Sequence, residues 1–225
     1  MATRAVDARS RRYDPAETRQ RVLEAANMLF SQQGFVKTGT ADIARQADVS
    51  EGSIFYHFGS KRNLLTELGR MYGERMIEAM QLPGEDLADL DTFKVINRCF
   101  DYCAAHNAWE NIMAGGSDDC PGRKGEHYHN PEAEPFYRAS REVVVNWTER
   151  HLTAQLGARG AIGINIRVAA SLTYAAVGDA LDAAFAPGVT EAERDAIRDE
   201  TARFVAAANG SGAAQGKPRA ANDRG

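Results

Sequence analysis

Cysteine is scarce in this chain of 225 residues: Cys99, Cys103 and Cys120 are all it has. An odd, scattered set excludes a disulfide framework and points to a reducing compartment. No apolar run approaches the roughly 18–20 residues that a bilayer span needs. The N-terminal stretch MATRAVDARSRRYDP lacks the apolar segment of a secretory signal. The expectation is a cytoplasmic protein with no membrane partner. With only 7 Pro and 20 Gly the chain is neither collagenous nor disordered throughout. Runs of alternating β-branched residues bounded by turn signals are missing, which argues against a sheet. So are a Gly-rich phosphate loop, a nucleophile elbow and an H-E-x-x-H helix. A Cys-His nucleophile is all that an enzyme reading has left. The chain is therefore expected to be no enzyme and to need no cofactor.

What is present is an all-α pattern with an uneven charge. Residues 1–62 carry ten Lys/Arg against seven Asp/Glu, and the rest carry seventeen against twenty-four, within a net charge of −4. A short basic front on an acidic body suggests that the front alone meets a polyanion. Residues 1–13, with Arg4, Arg9, Arg11 and Arg12, read as a flexible basic arm.

Asp14, Pro15 and Glu17 are start signals for a first helix. Val22, Ala25, Ala26, Leu29 and Phe30 give it one apolar face, and Gly34 is expected to end it in a left-handed conformation. Thr40 is expected to cap a second, short helix through Ala47. Asp48-Val49 makes a tight turn, and Ser50 caps a third short helix, Glu51–Tyr56. Helices this short hold only by packing on neighbours. Ser60 caps a fourth, long helix that reaches about Gln81 and stops at Pro83-Gly84. Support helix, short helix, turn and short helix form the layout of a helix-turn-helix, whose last helix can enter the major groove of DNA.

The stretch TADIARQADVSEGSIFYHFGSKRNLL, Thr40–Leu65, resembles the helix-turn-helix of the TetR family of bacterial transcriptional repressors. The likeness rests on Ile43-Ala44, Ala47-Asp48-Val49-Ser50, Gly52-Ser53, Phe55-Tyr56-His57-Phe58 and Lys61, with Ala25-Ala26 and Leu29-Phe30 before Gly34. It covers about residues 16–76. Three departures stand out: Phe55 replaces a frequent Tyr, Asp48 replaces a frequent Gly in the turn, and Glu51 puts a phosphate-repelling carboxylate in the recognition helix. Asp tolerates left-handed backbone better than most residues.

The resemblance implies that Thr40, Tyr56, His57 and Lys61 approach phosphates. Ser50, Glu51 and Ser53 are candidates for base edges, and Glu51 can accept from a cytosine amine. Arg45 can reach a base or the backbone, or be only a solvated charge. Gly52 costs about 1 kcal/mol of helix propensity relative to Ala, which makes sense where backbone must approach DNA, although a loose helix start would look the same. Phe55 is counted with this set, although Phe55 and Phe58 equally suit the core. His57 could instead cap a packing surface. A palindromic operator read by a homodimer is the expected partner. The helix around Val168, Leu172, Ala175, Ala176, Val177, Leu181 and Phe185, with that around Ile197, Phe204 and Val205, is the expected dimer surface.

The division expected is an arm at 1–13, a DNA-binding domain at 14–62, a helical ligand-binding and dimerisation domain at 63–208, and a disordered tail at 209–225. Body helices are expected at about 87–107, 132–156, 161–185 and 190–208, with a shorter one near 108–114 and a loop over 115–131. The resemblance implies a small-molecule effector that releases operator DNA. Phe93, Phe100, Tyr102, His106, Trp109, Met113, Tyr137, Trp147, His151 and Tyr174 are candidate wall residues for a mostly apolar or aromatic effector. The alternative is a metal or thiol sensor built on Cys99 and Cys103 with His106, or on Cys120, His127 and His129. A C-x3-C pair on a helix is weak support for that, and no metal site is assigned. An architectural DNA-binding protein is a further alternative, but would need no acidic body of this size.

Overall fold

A computed structural model describes residues 14–105, 132–157 and 165–210. These residues hold eight helices and no strand. They are α1 (Pro15–Lys37), α2 (Thr40–Gln46), α3 (Glu51–Phe58), α4 (Lys61–Met80), α5 (Thr92–Ala105), α6 (Glu134–Gly157), α7 (Ile166–Ala184) and α8 (Glu191–Ala208). The expected arm and the short helix near 108–114 lie outside the described residues, as does the tail beyond Gly210.

The start signals act as the sequence suggests. The Asp14 carboxylate accepts from the backbone N–H of Ala16 at 2.9 Å and Glu17 at 3.3 Å, ahead of Pro15. Ser50 accepts from the Ser53 N–H at 3.1 Å, and Ser60 from the Asn63 N–H at 3.1 Å. Thr190 and Glu193 cap α8 reciprocally.

Two details differ. Gly34 breaks α1 with φ +80° but ψ 162°, an extended geometry outside the left-handed helical region. Phe35 then folds back until its ring centroid lies 5.2 Å from that of Phe30. Thr40 is the first residue of α2, and Gly39 takes the cap position, its N–H donating to the Asp42 carboxylate at 3.4 Å. The helix therefore starts on a carboxylate three residues ahead, with no hydroxyl cap. Asp48 adopts φ +53°, the left-handed backbone its place in the turn demands.

Val22, Ala26, Phe30, Ile43, Ile54 and Leu64 are fully buried together and make the core of the head. A second core in the body gathers Met76, Met80, Ile96, Phe100, Trp147 and Val205. Helix α4 feeds both: Leu64, Leu65 and Leu68 enter the first, Met76 and Met80 the second. The first core also takes in Phe136 from α6 and Ala133 just ahead of it. Gly69 and Gly73 bring α4 against α6 at backbone distance. A Cβ at Gly73 would stand 2.9 Å from the Val143 Cβ and 3.0 Å from the Ser140 carbonyl oxygen.

Candidate nucleic-acid interface and body cavity

Helix α3 is held from beneath and open above. Ile54 and Phe58 are buried in the head, whereas Tyr56 is 79% exposed and Phe55 48% exposed. Phe58 is thus core and Phe55 surface. Glu51 and Gly52 are exposed, Ser53 and His57 half-buried. The Tyr56 and His57 rings meet edge to face, with centroids 5.1 Å apart.

The polar candidates are already engaged with one another. The Ser50 and Ser53 hydroxyls lie 2.8 Å apart. The Thr40 hydroxyl donates to the Glu51 carboxylate, which ties the start of α2 to the start of α3. Arg45 is exposed and pairs with Asp42 at 3.1 Å, one turn away on α2. Within the chain Gly52 has no packing duty. A Cβ there would meet only the Ser50 Oγ, at 3.8 Å, and Gly52 is not among the positive-φ residues.

Lys61 is placed differently from the rest. Its ammonium donates to the carbonyls of Phe35 at 2.9 Å and Thr38 at 3.0 Å, and lies 4.2 Å from the centre of the Phe35 ring. Burial pushes its pKa down. The residue clamps the end of α1 to the start of α4. Sequence reasoning saw only the charge, because nothing local marks carbonyls more than twenty residues away as its partners.

The body holds a half-open cavity of about 240 Å³. Of the expected wall residues, Tyr137, Trp147, His151 and Tyr174 line it. Phe100 is buried in the surrounding core, and Phe93 and Tyr102 pack against that core without lining the cavity. His106, Trp109 and Met113 lie outside the described residues. Tyr72, Met76, Cys103, Phe136, Thr148 and Asp182 also line it, and sequence reasoning did not single them out as wall. Their signal was helical spacing, which core and wall residues share.

The polar groups of this wall are ordered. The His151 ring stacks on Trp147, with centroids 5.3 Å apart and an angle of 15°, and its Nδ1 lies 3.0 Å from the Leu87 carbonyl oxygen. Burial holds the His151 pKa below its ordinary value. The Trp147 indole N–H donates to Gln81 Oε1 at 2.8 Å. Tyr72 Oη lies 3.8 Å from Cys103 Sγ, and burial pushes the Tyr72 pKa up. A hydrogen bond to Cys103, together with burial, keeps the Cys99 thiol protonated well above its ordinary pKa. Among the described residues no three His, Cys, Asp or Glu side chains gather as a metal site. His106, Cys120, His127 and His129 of the sensor alternative lie outside those residues.

The family model for bacterial regulatory proteins of the tetR family matches residues 22–68, which span the helix-turn-helix just described. The head is a tetR-family domain. A curated relative, the HTH-type transcriptional regulator AcrR of Shigella flexneri, is 38% identical over 88 residues, 37% of this chain and 41% of that protein. The match thus spans about two fifths of the relative's length. Across the whole fold, the FadR regulator of Bacillus subtilis in complex with stearoyl-CoA superposes with a TM-score of 0.57 at 16% identity, covering 83% of this chain and 96% of that one. RolR in complex with resorcinol superposes with a TM-score of 0.56 at 17% identity, covering 91% and 97%. The tetR-family head therefore sits on a body whose helical fold these solved structures share. No helix among the described residues is long and apolar enough to cross a membrane.

Proposed function

We propose that this chain is a non-enzymatic, ligand-responsive transcriptional repressor of the bacterial cytoplasm. It binds a palindromic operator as a homodimer, and a mostly apolar or aromatic effector in the body cavity releases it. The observation that carries the reading is α3: a short helix pinned by two buried residues, presenting a polar N-terminus and an exposed aromatic in a tetR-family domain. Tyr56 and His57 serve phosphates, and Ser50, Glu51 and Ser53 face base edges. Gly52 keeps the helix thin where backbone meets the groove.

One such helix touches few base pairs, so two copies are needed to read a site with specificity. Helices α7 and α8 offer the joining surface. Leu172 is 65%, Phe204 59% and Val168 51% exposed, too much apolar side chain to leave in water without a partner. Val168 and Leu172 share one face of α7 at a spacing of four.

Effector and DNA communicate through Phe136. This residue belongs to the head core and lines the body cavity. Gly69 and Gly73 leave no slack between α4 and α6, so a ligand that moves the cavity wall of α6 carries α4 and the head with it. The effect is bounded by the ligand's preference for one of the two states. The ligands named for the two structural neighbours, stearoyl-CoA and resorcinol, support a body that accepts small molecules.

Sedimentation of the free protein and of its complex with duplex DNA tests the assembly. The expected particle has twice the 24.5 kDa of the chain. Leu172→Glu should give single chains that no longer retain DNA. A wild-type particle of one chain on operator DNA would overturn the proposal.

A further inference from the structure

Two thiols and a phenol meet on the cavity wall. Cys99 and Cys103 stand one helical turn apart on α5, Tyr72 comes from α4, and all three line the cavity. The two thiols are not equivalent. Cys99 is buried, and its thiol donates to Cys103. Cys103 is half-buried, and the Tyr72 oxygen lies 3.8 Å from its sulfur. Burial keeps the Tyr72 phenol protonated, so in this pair the Cys103 sulfur is the acceptor. One sulfur thus collects two donors from two helices. The hydrogen bond from Cys99 draws the Cys103 pKa below its ordinary value, burial opposes it, and the hydrogen bond from Tyr72 adds to it. The thiolate is the nucleophile of cysteine chemistry, and a cysteine kept only for packing is pushed the other way, as Cys99 is.

We infer that Cys103 is a covalent capture site for an apolar α,β-unsaturated carbonyl compound that enters the cavity. This deepens the proposed function, rests on its reading of the cavity as the effector site, and needs neither a metal nor His106. The Cys103 proton leaves for solvent, and a sulfur lone pair forms the bond to the β-carbon. The C=C pair shifts toward the carbonyl oxygen to give an enolate, whose α-carbon takes a proton back from water. In sum the thiol S–H adds across the double bond, and no oxidant is consumed. An addition also expels nothing. A displacement would strand a leaving anion in a largely apolar cavity, so a conjugated carbonyl is favoured over a halide. A cavity of about 150 Å³ holds a benzene, so 240 Å³ has room for one ring with a short enone chain. The adduct would form beside the joint between the two halves. The Tyr72 ring lies 6.0 Å from that of Phe136, and Tyr72 packs against both cores. Bulk added to Cys103 therefore presses on the contact through which the cavity reaches the head.

The probes are benzylideneacetone, an aromatic enone, and its saturated counterpart benzylacetone, each mixed with the full-length protein at neutral pH. Peptide mass mapping reads the site and the rate of adduct formation. Cys103 should react about tenfold or more faster than N-acetylcysteine, because the cavity holds the enone beside a sulfur that ionises more readily. Cys99 should stay unmodified. Benzylacetone cannot react, should bind by calorimetry, and should slow the adduct as a competitor. Tyr72→Phe keeps the ring and removes one donor, so the rate should fall about two- to fivefold; the loss is softened because a less acidic thiol is the stronger nucleophile once ionised. Modification of Cys99 as fast as Cys103, or a Cys103 rate no greater than that of N-acetylcysteine while benzylacetone binds, would overturn the inference and leave the cavity as effector site intact. Absence of both benzylacetone binding and Cys103 reaction would overturn the cavity reading and the inference with it.

Discussion

Phe136 of α6 lies against Gly69 of α4 so closely that a Cβ on Gly69 would stand 2.9 Å from the Phe136 Cα and run into its carbonyl oxygen. The same phenylalanine is packed into the head core and forms part of the cavity wall. One backbone contact thus joins the DNA-facing half of the molecule to the half that holds the cavity.

Gly69→Ala should therefore destabilise the protein although Ala is the better helix former. The helix gains about 1 kcal/mol from propensity. Separating two helices that meet at backbone distance costs about 1–3 kcal/mol, because neither carbonyl nor Cα can rotate away. Thermal unfolding should show a lower Tm, and an unchanged or higher Tm would mean that α4 and α6 are not locked here.

Gly52→Ala should do the reverse. Nothing in the chain crowds that position, so the fold should gain up to about 1 kcal/mol. If backbone approaches DNA there, affinity for operator should fall while Tm rises. A variant that is more stable and binds DNA as well as wild type would remove Gly52 from the interface.

Tyr56 and Lys61 should separate cleanly when each is replaced. Tyr56→Ala removes an exposed side chain and should leave the unfolding free energy within about 0.5 kcal/mol of wild type. DNA binding should weaken, with the slope of log K against log salt falling by about one unit if one phosphate contact is lost. Lys61→Met removes the partner of two carbonyls and should cost about 1–3 kcal/mol of stability. Chemical denaturation beside a salt titration reads both effects. Full stability in Lys61→Met would show that its clamp on α1 is not made in solution.

Acid should expose the Glu85–Arg98 pair. The Glu85 carboxylate receives two guanidinium nitrogens at 2.5 and 3.0 Å and the Leu82 N–H at 2.9 Å, which holds its pKa down at about 2. Its ordinary value is 4.5, so the pair contributes fully above that pH. The contribution drains away as pH falls from 4.5 toward 2. Glu85→Gln should lower stability at neutral pH and flatten its decline across that interval. Parallel curves for variant and wild type would mean the pair contributes nothing.

Much of the head was legible because its signals are local. Asp14, Ser50 and Ser60 mark helix starts within three residues of the groups they satisfy, and Asp48 marks a turn by its own backbone tolerance. The body gave helix positions and part of its cavity wall, Tyr137, Trp147, His151 and Tyr174, but not the arrangement of that wall. Trp147 and His151, singled out in the sequence as wall candidates, do line it, but their stacking and the reach of His151 to Leu87 have no mark in the sequence. The inward turn of Lys61 was illegible for the same reason: its partners lie across the fold. Gly69 and Gly73 were read as part of a long helix, since close approach to α6 leaves no trace in the residues around them.

Two copies of α3 reading DNA together are the centre of the proposed function. Duplexes selected by the purified protein from a randomised pool, then sequenced, test this directly. The expected result is an enriched site with twofold symmetry, its half-sites about one helical turn or more apart, and no enrichment with Tyr56→Ala. A pool that stays random, or an enriched site without symmetry that Tyr56→Ala retains equally well, would contradict it.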